Sequence, residues 1–211
     1  MAEARSRREA DKRAQISAAA RTMFLERGYA ATSMDAVTAA AGVSKQTLYR
    51  YFPSKAHLLT QVLEAELGVM EIGLDPTVPI PVTSVAQLRS MLLLTAHEVT
   101  RRFMSEDVIG LIRLVLGEVS RMPDVRTEFR EVLPRRLLGL VGALLASADA
   151  HGVIRTPRPE LSARLFVGPV VSFVILDGVL VEGPPQPPDA DTLAFVVDAF
   201  IASLGPAGSA S

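Results

Sequence analysis

The stretch from Ser33 to Phe52, SMDAVTAAAGVSKQTLYRYF, stops one short helix and starts another around a single glycine, and this restricts the fold more than any other feature of the chain. Ser33 is a helix N-cap with Asp35 well placed in the first turn, and Met34, Val37 and Ala41 share one helical face. Gly42 ends that helix. Ser44 caps the next, Lys45 to about Tyr51, and Pro53 closes it because the residue before a proline is pushed out of helical geometry. The alanines at 39, 40 and 41 let two helices cross closely, Gly42 permits a positive φ, and Val43 and Leu48 plug the space between them. The pattern is that of a helix-turn-helix.

The flanks complete a small helical domain. From about Arg8 to Arg27, Ile16, Ala20, Met23 and Phe24 recur at helical spacing, and Gly28 is the expected stop. Ser54 caps a fourth helix with the apolar stripe Leu58, Leu59, Val62, Leu63 and Leu67. In a helix-turn-helix the second helix lies in the DNA major groove, so Lys45, Gln46, Thr47 and Arg50 are expected to read or grip DNA. Ser44, Tyr49, Tyr51 and Lys55 suit phosphate contacts, which set register without reading sequence. Leu48 and Phe52 are expected in the core. Charge points the same way: residues 1–60 carry ten Lys or Arg against five Asp or Glu, including all three lysines, while the remainder carries twelve against eighteen.

With these residues in view the N-terminal part resembles the DNA-binding domain of the TetR family of bacterial transcriptional regulators, across about residues 10–65. The family pattern G-[VI]-[SA]-x-x-x-[LF]-Y-x-[YH]-F-x-[SND]-K is filled by Gly42, Val43, Ser44, Leu48, Tyr49, Tyr51, Phe52, Ser54 and Lys55. The resemblance implies phosphate contacts at Tyr49 and Lys55, bases or phosphates near Lys45, Gln46 and Thr47, and backbone contacts at Thr32 and Ser33. It also implies a dimer in which the last two long helices pair with their symmetry mates in a four-helix bundle.

Beyond residue 72 the chain is read on its own terms. The Pro-rich run 73–84 is a connecting loop, and helices are expected at about 85–104, 106–121, 124–148, 160–182 and 190–204. Pro134 should kink or split the third of these and Pro169 should kink the fourth. The division expected is a DNA-binding domain over 1–54 and a helical effector-binding and dimerisation domain over 55–211, joined through helix 55–72, with 205–211 a disordered tail. The apolar run 165–181 is shorter than the ~20 residues of a membrane span and holds Pro169 and Asp177, so burial between subunits is the better expectation. Gly168, Ser172, Val179 and Phe195 are the candidate dimer contacts. A mostly apolar effector pocket is expected among the helices from 85 to 148, with His97, Arg113, Met91, Phe103, Phe129 and Phe173 as candidate contacts.

Other chemistries find little support. There is no cysteine, hence no disulfide framework and no thiolate metal site, and the charged N-terminus lacks the apolar segment of a secretory signal. His97 opens HEVTR, which fails the HExxH zinc pattern at Arg101, and neither a Gly-rich phosphate loop nor a nucleophile elbow occurs. No metal, cofactor or catalysis is expected. The reading is an all-α, cytoplasmic, homodimeric repressor that leaves a palindromic duplex when a small-molecule effector binds. An activator or co-repressor-dependent regulator, and a helical small-molecule carrier without operator function, are the alternatives.

Overall fold

Nine α-helices carry the fold among the described residues of the computed structural model, which are 2–67, 81–118 and 123–206. Side chains are described for 7–66, 81–118, 123, 124, 126, 127 and 137–205. The first four helices are α1 (Ala2–Ala31), α2 (Met34–Ala40), α3 (Lys45–Tyr51) and α4 (Lys55–Leu67). After them come α5 (Val85–Phe103), α6 (Glu106–Glu118), α7 (Pro123–Ala150), α8 (Pro159–Val174) and α9 (Ala190–Ser203). The architecture is all-α. Its one ladder among these residues is minimal: β1 (Ile154–Arg155) pairs antiparallel with β2 (Gly205–Pro206).

The chain divides into two compact units. One comprises Met1–Glu66 with Gly110–Val132, the other Leu67–Ile109 with Leu133–Ser211. In the first, Ile16, Phe24, Val37, Leu48, Phe52, Leu58 and Leu63 are buried, and the Phe24 and Tyr29 rings stack with centroids 5.9 Å apart. A Cβ at Gly110 would stand 3.0 Å from Leu25 Cδ2, a tight contact that the leucine end would have to yield to. In the second unit α5, α8 and α9 pack on one another. Leu88, Leu92, Phe166, Val170, Leu193 and Val197 are buried there, Phe166 and Phe200 lie 5.3 Å apart, and Arg89 grips Asp198 through two hydrogen bonds of 2.6 and 2.9 Å.

Several sequence expectations are corrected in detail. α1 starts well before Arg8, as a run of good helix formers allows. Gly28 stops the regular helix as expected, with non-helical φ +79° and ψ 172°, and a second short helical stretch follows across this kink to Ala31. α7 runs unbroken past Pro134, and α8 past Pro169. The fourth C-terminal helix ends differently from expectation: α8 gives way to a π-helical segment, Ile175–Val179, where the Leu180 N–H reaches back five residues to the Ile175 carbonyl at 2.9 Å. Gly178 in that segment is buried, and a Cβ there would stand 2.7 Å from Ile109 Cδ1. Pro159–Val179 forms a helical run of 21 residues, long and apolar enough to cross a membrane, so its length does not argue against a span. Gly205 and Pro206, expected in the tail, belong to β2; residues 207–211 and most of the 73–84 loop lie outside the described residues.

Candidate nucleic-acid interface

The helix-turn-helix is held by local hydrogen bonds that its sequence dictates. Ser33 Oγ accepts from Ala36 N at 3.1 Å and Ser44 Oγ from Thr47 N at 3.1 Å, so each short helix opens with a satisfied donor. Between them Gly42 takes φ +61°. Its N–H donates to the Ala39 carbonyl and that of Val43 to the Thr38 carbonyl, both at 3.2 Å, which closes α2 in a Schellman motif. Gln15 Nε2 donates to the Ala41 carbonyl at 2.9 Å and fastens α1 to the same turn. Leu48 and Phe52 are buried between these elements.

On α3 the polar residues face outward. Ser44, Lys45, Gln46, Tyr49 and Arg50 are exposed, and Thr47 and Tyr51 are half-buried. Ser44 and Thr47 share a 2.8 Å hydroxyl contact, so both hydroxyls are also engaged with each other. Arg50 donates to the Tyr51 hydroxyl at 2.6 Å with its guanidinium 4.6 Å from that ring's centroid. Lys45 Nζ lies 2.8 and 2.9 Å from the two Asp35 carboxylate oxygens. The hydrogen bond to Asp35 holds this ammonium above the ordinary lysine value. Ser33 is exposed at the start of α2.

Thr32 and Lys55 are oriented differently. Thr32 is 1% exposed, and its hydroxyl points at the carbonyls of Gly28, 2.8 Å, and Met23, 3.1 Å. Lys55 opens α4 half-buried and donates to the carbonyls of Tyr29, 2.7 Å, and Thr32, 2.9 Å, with Nζ 4.2 Å from the Tyr29 ring centroid. Burial pushes the Lys55 ammonium below the ordinary lysine value, an effect opposed by the Glu118 carboxylate. Tyr29 is raised above the usual phenol value by burial first, then by the charges of Asp124 and Glu118. Sequence reasoning missed both Asp35 as partner of Lys45 and Tyr29 as the seat of Lys55. An acidic residue ten positions before a lysine was a readable signal for the first; nothing local signals the second.

The candidate effector contacts do not come together as one set. Met91, His97 and Phe173 are half-buried and Phe103 is buried, all in the second unit, while the side chain of Phe129 lies outside the described ones. Arg113 is exposed in the first unit, where it lines a cleft of about 520 Å³ with Phe24, Leu25, Tyr29, Leu114 and Glu118. Among the described side chains no other candidate lines that cleft. Among the candidate dimer contacts Gly168, Ser172 and Phe195 are exposed and Val179 is half-buried.

Known proteins match over most of the chain. Residues 16–62 match the family described as bacterial regulatory proteins, tetR family, and residues 90–203 match the AefR-like transcriptional repressor, C-terminal domain. An HTH-type transcriptional regulator of Mycobacterium tuberculosis is 29% identical over 180 residues, 85% of this chain and 80% of that protein. Among solved structures, a TetR-family regulator from Mesorhizobium loti superposes with a TM-score of 0.73 at 24% identity, covering 94% of this chain and 98% of that one. The flavonoid-responsive regulator FrrA superposes with a TM-score of 0.67 at 28% identity, covering 93% and 98%.

Proposed function

Because this chain belongs to the TetR family of bacterial transcriptional regulators, we propose that it is a cytoplasmic homodimer that represses transcription from a palindromic operator and releases it when a small molecule binds. The observation that carries the reading is the outward set on α3 and its caps: Ser44, Lys45, Gln46, Thr47, Tyr49, Arg50 and Tyr51, with Ser33 at the head of α2. Two cations, an amide and an exposed tyrosine along one short helix suit a major-groove reader. Tyr49 is 46% exposed, too much for a core aromatic, and its hydroxyl is suited to a phosphate oxygen.

Two-fold symmetry fits both partners. Recognition helices of a dimer enter successive major grooves when they stand about 34–36 Å apart. On α8 and the segment after it Leu161, Leu165, Leu176 and Leu180 are exposed, with Phe195 on α9. Apolar side chains in such numbers on neighbouring helices mark a face meant for a second copy. Repression then follows if the effector favours a dimer form that DNA does not. Linkage makes the opposition mutual: an effector that weakens operator binding by some factor is itself bound more weakly by that factor on DNA. A pocket among apolar helices suits an apolar or amphipathic effector; FrrA, by its name, responds to flavonoids.

The test is selection of duplexes from a random pool by the purified protein, alongside the double variant Lys45→Ala, Tyr49→Ala. Enrichment of an inverted repeat by the wild type and its loss in the variant is the expected result. Failure of the wild type to enrich any sequence at low salt, where phosphate binding is strongest, would sink the proposal.

A further inference from the structure

We propose that Asp35 is a specificity-determining residue: its carboxylate and the Lys45 ammonium it holds read one G·C base pair in the major groove as a single acceptor and donor unit. The inference rests on the DNA-binding reading above and gives α2 a share in base recognition that the sequence pattern assigns to α3 alone. Lys45 is the first residue of α3 and Asp35, ten positions earlier, the second of α2, so the turn at Gly42 brings two helix starts to one place. Lys45 Nζ stands 2.8 Å from Asp35 Oδ1 and 2.9 Å from Oδ2, and the two side chains are 64% and 65% exposed.

Stability does not explain the pair. An ion pair this open to water adds little to a fold, and an ammonium at the head of α3 opposes the positive end of that helix. Without Asp35 beside it, Lys45 would be a free cation at the front of the reading helix, able to take any phosphate in reach. The carboxylate occupies part of the ammonium, leaves it at least one N–H of its three, and keeps lone pairs of its own. What the two helix starts present together is a fixed donor beside a fixed acceptor.

A G·C pair offers the complement, with guanine N7 and O6 as acceptors and the cytosine N4 amino group as donor next to them. Guanine O6 and cytosine N4 are bonded to each other and therefore about 2.9 Å apart. That is the spacing of Lys45 Nζ and the Asp35 oxygens. Set edge to edge, the ammonium donates to O6 and the carboxylate accepts from N4, while each couple keeps its own internal bond. A C·G or A·T pair inverts the order and sets an amino group against the ammonium and a carbonyl oxygen against the carboxylate. T·A keeps the order but puts the thymine methyl where guanine offers N7.

The deciding experiment has wild type, Asp35→Ala, Lys45→Met and the double variant each select duplexes from a random pool. Binding is then measured across a salt series to the wild-type site and to the same site with one G·C inverted to C·G in each half. The wild type should enrich a repeat with a G·C pair fixed at one position of each half, and the inversion should weaken it by about tenfold or more. In Asp35→Ala that position alone relaxes, and the double variant relaxes it no further than either single change. If Asp35→Ala keeps the position as strict as the wild type does, the carboxylate reads nothing and the proposal fails. Tighter binding of every duplex, with a salt slope steeper by about 0.9, makes Asp35 only a brake on a Lys45 phosphate contact and overturns it too. So does weaker binding of all duplexes alike with a lower melting temperature, which makes the pair a structural tie. In each of these cases the wild type still selects its repeat and the DNA-binding reading stands; a wild type that selects none removes that reading and this one with it.

Discussion

At the scale of single residues, the hydroxyl of Ser44 has the most local job in the molecule. It accepts from the Thr47 amide and contacts the Thr47 hydroxyl, so Ser44→Ala leaves an orphan donor at the first turn of α3. We expect a loss of about 1 kcal/mol in urea denaturation, and only a few tenths for Ser44→Gly. Such caps were legible in the sequence. Ser33, Ser44, Ser54 and Gly42 each act within a few residues of themselves, which is the range over which residue type alone decides geometry. Lys55 was not legible in the same way, since its partners are carbonyls 23 and 26 residues away and any basic residue at a helix start looks outward until those carbonyls are placed. The Thr32 bonds were not legible either: its side chain returns to α1 across the break at Gly28.

Among the elements, α5 offers a pH-dependent end. Glu98 receives hydrogen bonds from Arg101 and Arg102, one and the same carboxylate tying both basic residues of the last turn. Those two bonds hold its carboxyl down to about 2. A carboxylate whose folded value is depressed contributes stability above its ordinary value near 4.5, and that contribution is lost as pH falls from there toward 2. Thermal melting of Glu98→Gln should therefore lie below that of wild type at pH 6, and the two curves should converge as the acid limit is reached. Added salt should narrow the gap at pH 6, because Arg101 is exposed. Helix positions were readable from periodicity and breakers, with α5 and α9 close to their expected ends. Where a proline was expected to kink or split a helix, α7 and α8 continue through Pro134 and Pro169, since neighbouring turns on either side keep enough bonds to carry a helix through one defect.

For the molecule as a whole, the exposed leucines are the feature a monomer does not explain. Leu165 and Phe195 are 65% and 73% exposed, so replacing both by Glu removes little from the chain's own core. Sedimentation should show half the wild-type mass for Leu165→Glu, Phe195→Glu, with the melting of secondary structure retained and specific DNA binding weakened severely. An unchanged mass would remove the dimer face from this surface. The sequence offered Gly168, Ser172, Val179 and Phe195 as dimer contacts, of which Gly168, Ser172 and Phe195 are exposed. It did not carry the leucines, whose apolar character alone reads as core until packing shows which side is already occupied.

The π-helical segment after α8 bears on that face as a matter of angular phase. In an unbroken α-helix Leu180 would sit about 100° around the axis from Leu161, since nineteen steps at 3.6 residues per turn overshoot five whole turns. The wider turn over Ile175–Val179 advances less per residue and takes part of that drift back, so the leucines at the far end are rotated toward the line begun by Leu161 and Leu165. One surplus residue thus acts as a phase corrector, keeping a long exposed stripe straight where a regular helix would wind it out of view.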